Sequence, residues 1–336
     1  MKELIQQLTQ TQGPSGYESN IRDLIRTEIE AHVDEVRVDN LGNLIARRGE
    51  KTDRGRRVMI SAHMDEIGII ATHIDKDGFT RFTKVGGVAA RYTPGGRVRF
   101  LDDTLGVINT ERLTSASKVP PLDEMFIDVG ASDRESCPIK VGDVATFERP
   151  FTDMGDRLVS KAMDDRIGVA VAIEALRQLE TSPHEIYFVF SSQEEVGVRG
   201  ATAAAYGVDP DVGLAVDVTR TGDTPKSKTM DVSLGKGPAI KVKDGGMLAD
   251  PRVVDWMVSR AEETEIPYQL EVLEGGSTDA RAMQISRAGI PAGCLSIPCR
   301  YVHSPSEMVD YNDVQNAVRL LISLLEKTPR MEIESL

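Results

Sequence analysis

Cysteine is nearly missing from the chain. Cys137, Cys294 and Cys299 are the only three in 336 residues, odd in number, scattered and without a Cys-x-x-Cys pair. That argues against a disulfide framework and fits a reducing compartment. No apolar run approaches the roughly 18 residues of a membrane span. The opening MKELIQQLTQTQ lacks the apolar core of a secretory leader, so a cytoplasmic location is expected. Basic residues are outnumbered, 40 against 53 acidic ones, for a formal charge of -13. With no basic run to face a phosphate backbone, a nucleic-acid partner is not expected, and neither is a membrane. Internal repeats and low-complexity tracts are absent. GGRVRF and VGGV match no phosphate-loop pattern. Ser61, Ser191 and Ser192 lack the setting of a nucleophile elbow.

What is present is ordinary globular material, 40% hydrophobic and 28% charged, long enough for two domains. Ser19 is placed to cap a helix whose Ile21, Leu24, Ile25 and Ile29 recur at helical spacing. VDEVRVDN, NLIARRG and RRVMISAH then read as strands, the last apolar enough to be buried on both faces. Between about residues 70 and 156 the texture changes. GIIATHI, FTRFTKV, GRVRF, TLGVIN, FIDVG and VATFE are short β-type runs separated by turn residues, as in a small barrel or sandwich. Afterwards strands and helices alternate. DRIGVAVAIEALRQLE has an apolar stripe of Val169, Ile173, Leu176 and Leu179, and EIYFVFSS, GLAVDVT, PAIKVKD, YQLEVLE and AGCLSIP read as strands. Helices are expected at TAAAYG, PRVVDWMVSRAEETE, TDARAMQISRAG and DVQNAVRLLISLLEK. The fold class is therefore α/β, a mixed, largely parallel sheet flanked by helices, with an inserted all-β barrel-like domain. The expected boundaries are 1–70 with 157–336 for the main domain and 71–156 for the insertion.

Ligands of such sheets sit at the carboxyl ends of strands. Five segments run an apolar strand into side chains able to hold a metal: His63 with Asp65, Asp164 with Asp165, Glu194 with Glu195, Asp217, and His303. Taken singly most have plainer explanations. His-x-Asp is common on solvated loops, paired aspartates cap helices, and paired glutamates sit in water. Asp217, within LAVDV, is different, because a central strand does not bury a carboxylate without a partner. A pair of divalent ions explains all five together. One carboxylate must lie between the mutually repelling cations, and three carboxylates with a hydroxide cancel four positive charges while two imidazoles add none. His63, Asp164, Glu195, Asp217 and His303 have that composition. Glu194 is left free as a general base, and Asp65 to orient His63. Cys294 and Cys299 are better read as buried thiols than as soft ligands, and His32, His73 and His184 as surface or packing residues.

SAHMDEIG, KAMDDRIG, SSQEEVGVRGA, AVDVTRTGDTP and YVHSPSEM, together with GPSGYE and GGSTDA, resemble the M42 family of dinuclear metallo-aminopeptidases. The resemblance covers nearly the whole chain. It implies a zinc-peptidase-like fold and two divalent ions per subunit, zinc or cobalt. Asp164 would bridge them, His63 and Asp217 completing one shell and Glu195 and His303 the other. Glu194 would be the base, Asp65 the orienter of His63, and the Asp164–Asp165 peptide cis. Short peptides would be the substrates, losing their N-terminal residue to a metal-activated water. The insertion would mediate subunit contacts, in a dodecamer built from dimers. An M20-like deacylase or carboxypeptidase uses the same dinuclear layout, and a non-catalytic metal-binding scaffold is a third reading. The preferred N-terminal residue is not legible.

Overall fold

The two β textures fold as two separate sheets. The computed structural model describes residues 1–111 and 118–329. Helices α1 (Lys2–Gln10) and α2 (Ser19–Ile29) precede a hairpin of β1 (Glu35–Val38) and β2 (Leu44–Arg48), and then β3 (Arg57–His63). Six strands follow: β4 (Gly68–Ile74), β5 (Thr80–Val85), β6 (Arg97–Phe100), β7 (Leu105–Thr110), β8 (Met125–Asp128) and β9 (Val144–Phe147). Next come β10 (Thr152–Asp153), β11 (Arg157–Ser160), α3 (Met163–Gln178), β12 (Glu185–Ser191), α4 (Arg199–Val208) and β13 (Val212–Thr219). The chain then runs through β14 (Ala239–Lys243), α5 (Pro251–Glu263), β15 (Gln269–Val272), α6 (Asp279–Gln284), β16 (Ala292–Arg300), β17 (Glu307–Asp310) and α7 (Tyr311–Leu325).

The main sheet has 11 strands in the order β1-β2-β12-β3-β13-β16-β17-β11-β10, with β14 and β15 branching from β16. Its centre, β12-β3-β13-β16, is parallel. These strands are buried almost throughout because helices cover both faces. One face carries α1, α2, α3, α5 and α7. The other meets α4 and α6 through Ala204, Ala205, Val208, Ala280 and Met283. Each fully buried Ile, Leu or Phe in these layers stabilises the fold by about 1.5–3 kcal/mol. Helix α3 is buried on nearly every side, not along the single stripe the sequence predicts, because α1, α2 and α7 close over its outer surface.

The second sheet closes on itself as a six-stranded antiparallel barrel, β4-β5-β8-β7-β6-β9. The six β-type runs supply its six strands, and Ile69, Phe82, Val98, Phe100, Ile108, Ile127 and Phe147 fill it. Among the described residues no helix is long and apolar enough to cross a membrane.

Three local expectations change. Ser19 is the first residue of α2 rather than its cap, and Glu18 holds the cap position. The Glu18 carboxylate accepts from the Gly16 amide at 2.7 Å and the Gln193 amide at 3.1 Å, tying the helix start to the turn after β12. Helix α6 stops at Gln284, short of the full run TDARAMQISRAG, with the Thr278 hydroxyl at its N-cap. Strand β17 is too short to show in the sequence pattern, and it pairs with both β16 and β11.

A Cβ at Gly168 would lie 2.4 Å from Asp165 Oδ1 and 2.6 Å from the Val216 carbonyl oxygen. Alanine for glycine inside a helix ordinarily stabilises by about 0.5–1 kcal/mol. Here Gly168→Ala is expected to do the opposite and lower stability by about 1–3 kcal/mol. Thermal unfolding checks the sign, and a raised midpoint would contradict this packing.

Candidate metal centre

The candidate side chains gather at one edge of the main sheet. His63 is the last residue of β3, and Asp217 stands two residues before the end of β13. Asp164 follows β11, Glu194 and Glu195 occupy the turn after β12, and His303 lies in the turn after β16. Gln193 and His303, in those last two turns, both have positive φ, at 55° and 63°. Non-glycine residues hold that backbone only where their surroundings fix it, and such residues gather at functional sites.

Asp164 sits in the middle. Its Oδ1 is 3.0 Å from His63 Nε2 and its Oδ2 is 3.3 Å from His303 Nε2. His303 Nε2 also lies 3.2 Å from Glu195 Oε1. Two groups of donor atoms result, His63 with Asp164 and Asp217, and Asp164 with Glu195 and His303, each with its atoms within 4.8 Å of one another. Asp164 belongs to both. Nitrogen and carboxylate donors in this number suit a borderline divalent ion such as zinc or cobalt. Glu194 ligates in neither group. Its Oε2 stands 3.9 Å from His63 Nε2, and it lines a cleft of about 270 Å³ above the cluster.

The plainer explanations hold only in part. The Glu194 and Glu195 side chains are only 12% and 4% exposed, so they are not a wet surface pair. Asp164 and Asp165 have non-helical backbone angles and a cis peptide between them, and they divide the roles: Asp164 faces the two histidines, while Asp165 caps the helix that follows. Asp165 turns away, accepting from the Gly168 amide at 3.1 Å. Cys294 and Cys299 are buried free thiols outside both groups. His184 is buried and accepts from the Arg56 amide, while His32 and His73 are exposed.

Asp65 has more partners than an orienter of His63 needs. Its Oδ1 lies 3.4 Å from His63 Nδ1, and Nδ1 also meets the Asp65 carbonyl at 3.1 Å, which leaves Nε2 to face Asp164. The carboxylate also accepts from Ser15 Oγ at 2.5 Å and from the amides of Glu194 at 2.9 Å and Glu195 at 3.2 Å. Sequence reasoning missed Glu307. Fully buried, it accepts from the Asp164 amide at 2.9 Å and the His303 amide at 2.7 Å, holding two candidate ligands by their backbone. Its one signal is an acid four residues beyond His303. Asp279, between the Ser61 and Ser191 hydroxyls, was missed in the same way. Beneath the site, fully buried Arg166 donates to the carbonyls of Met64 and Thr11, and Lys161 pairs with Glu66 at 2.6 Å.

The buried acids divide: burial works against charge on all of them, but the His303 and His63 imidazoles hold Asp164 below the usual carboxylate range, while Glu195 is raised. Burial, reinforced by neighbouring carboxylates, pushes Glu194 and Asp217 well above the usual range, with His63 opposing the shift. Burial disfavours charge on His303 as well, but Asp164 and Glu195 outweigh it and push the imidazole up to about 11. His63 is raised for the same reason by Asp164 and Asp65.

The family model for the M42 glutamyl aminopeptidases matches residues 42–320. The chain belongs to the M42 peptidase family. It is 46% identical to a putative aminopeptidase of Acetivibrio thermocellus over 97% of this chain and 98% of that relative. Among solved structures, the aminopeptidase APDkam598 of the archaeon Desulfurococcus kamchatkensis superposes with a TM-score of 0.92 at 44% identity, over 96% of this chain and 94% of that one. The TET1 peptidase of Pyrococcus horikoshii, which can assemble into a tetrahedron or a large octahedral shell, gives 0.86 at 34% identity, over 96% and 98% of the two chains. Members of the M42 family are aminopeptidases, and this chain is a peptide hydrolase of that class. M42 aminopeptidases depend on metal, which the donor set fits.

Two outcomes are expected. Ligation requires deprotonated donors, and His63, Glu195, Asp217 and His303 are all shifted toward keeping their protons, so cation uptake should release protons and apparent affinity should climb with pH. Calorimetry in buffers of differing ionisation enthalpy reads the protons released, and pH-independent affinity would contradict the clustering. A Cβ at Gly87 would come 2.2 Å from His303 Nδ1. Gly87→Ala should therefore displace that ring and reduce the cation content per chain by elemental analysis.

Proposed function

We propose that this M42 peptidase removes the N-terminal residue of short peptides at a dinuclear centre. One observation carries the proposal: Asp164 is shared by two donor groups, each completed by one histidine and one further carboxylate. His63 and Asp217 would hold one cation, Glu195 and His303 the other, and Asp164 both, with zinc or cobalt as the ions. When bound, the cations polarise the scissile carbonyl and acidify the attacking water.

The chain's own residues do the rest. Glu194 faces the cleft without ligating, and burial raises its proton affinity, as suits a group that takes a proton from water and returns it to the leaving amine. Asp65 fixes the ring of His63 and, through the amides of Glu194 and Glu195, the position of the base and of one ligand. A free α-amine bound beside one cation and its carboxylates would restrict action to the chain end. We assign catalysis to residues 1–70 with 157–336, and self-association to 71–156. Leu101, Leu105 and Val107 expose apolar surface on the barrel, in keeping with a dodecamer built from dimers. The site of action is the cytoplasm.

Chelation should abolish hydrolysis of aminoacyl-p-nitroanilides, and added cobalt or zinc should restore it, with N-acetyl amino acids remaining uncut. Cleavage of the acetylated compounds instead would assign the site to a deacylase. Glu194→Gln should keep two cations per chain by elemental analysis and lose about 10²–10⁴-fold in kcat. Near-normal turnover would remove Glu194 from the base role.

A further inference from the structure

The charge lining the cleft is unevenly distributed. The carboxylates on its wall are Asp164, Glu195 and Asp217, which belong to the donor groups, and Glu194 beside them. Two cations would offset the charge of the three in the donor groups. Of the remaining charged lining residues, Lys241 is buried and already paired, 2.7 Å from Glu271 Oε1, which also accepts from Thr219 Oγ1 at 2.5 Å. Arg220 and Arg281 are left. Both are exposed, and among the described residues neither guanidinium donates a hydrogen bond or closes an ion pair. A chain with a formal charge of -13 thus presents two unopposed positive charges at the mouth of its candidate active site.

Both arginines stand on anchored backbone. Arg220 follows β13 directly, and three residues later the Asp223 carboxylate accepts from Nε and Nη2 of Arg300, at 2.9 and 2.7 Å. Arg281 lies in the first turn of α6, its stem against Gly246, where a Cβ would come 2.7 Å from Arg281 Cδ. Arg220 also lines an adjoining cavity of about 930 Å³ together with Arg91 and with Lys228 and Glu274, which pair with each other at 3.6 Å. The cationic rim therefore continues outward from the cleft. An unpaired guanidinium is a fork of donors matched to a carboxylate and repels an ammonium group.

We infer that Arg220 and Arg281 bind a substrate carboxylate and make this enzyme select peptides bearing one close to the scissile bond. The inference rests on the aminopeptidase reading above. Two sources supply that chemistry within reach of the cleft: the side chain of an acidic N-terminal residue, and the C-terminal carboxylate of a di- or tripeptide. A lysyl or arginyl N-terminus is disfavoured by the same charges.

The test uses the cobalt- or zinc-reconstituted full chain. Glutamyl- and leucyl-p-nitroanilide differ only in the first side chain, and Leu-Gly-Gly and its C-terminal amide differ only in the terminal carboxylate. One of these pairs should show a preference for the carboxylate in the wild type. Arg220→Met and Arg281→Met should each cut that kcat/KM ratio about tenfold. The loss should lie in KM rather than kcat, with the lysine variants retaining part of the preference. Which pair responds identifies the source. Wild-type ratios near one, or ratios that move less than twofold in both methionine variants, overturn the inference while leaving the aminopeptidase standing. A wild type that cuts none of the four substrates removes the aminopeptidase reading itself.

Discussion

The architecture depends on one electrostatic problem, four carboxylates and two imidazoles brought within a few ångströms of each other and away from water. Left to themselves the acids repel, and burial makes each charge dearer. Asp164 is where the conflict is eased, because its two oxygens face two different histidines. The backbone around it is held on both sides by further buried acids. Glu307 grips the amides of Asp164 and His303, and Asp65 those of Glu194 and Glu195. Replacing Glu307 or Asp65 with an apolar residue would relieve some of the repulsion but leave those amides without acceptors. The site is stable as a connected whole or not at all.

The main sheet exists to bring these residues to one edge. Four parallel strands, buried on both faces, end together, and the turns beyond them carry the chemistry. The unpaired arginines at the cleft mouth belong to a different level of design. They lie outside the cluster, one directly after β13 and the other in the first turn of α6.

Much of this was legible in the sequence, for identifiable reasons. Apolar runs such as RRVMISAH and GLAVDVT are long and uninterrupted, so the strands and the candidate side chains at their ends could be read directly. Asp217 stood out because nothing but a partner explains an acid in such a strand. The barrel was visible from turn spacing, although closure, which distinguishes it from a sandwich, depends on β4 meeting β9 across more than seventy residues. What stayed hidden was decided by tertiary contacts. Glu307 is an unremarkable acid in a four-residue strand until the fold places it under two ligands. Ser19 has the composition of a cap, but Glu18 takes the position because its carboxylate also reaches the turn at Gln193. The full burial of α3 follows from helices far away in the chain.

The glycine pair after β5 has a mechanical meaning. Gly86 and Gly87 extend from the barrel and touch Glu195 and His303, and the Gly87 amide reaches Glu195 Oε2 at 3.4 Å. His63 and Asp217 are rooted in the large sheet itself. The two halves of the centre are thus mounted on unequal footings, one set in the frame and the other leaning on an outrigger. Any tilt of the small barrel against its neighbour is felt first at one seat, so stiffness where the barrel joins the frame governs how alike the two seats remain.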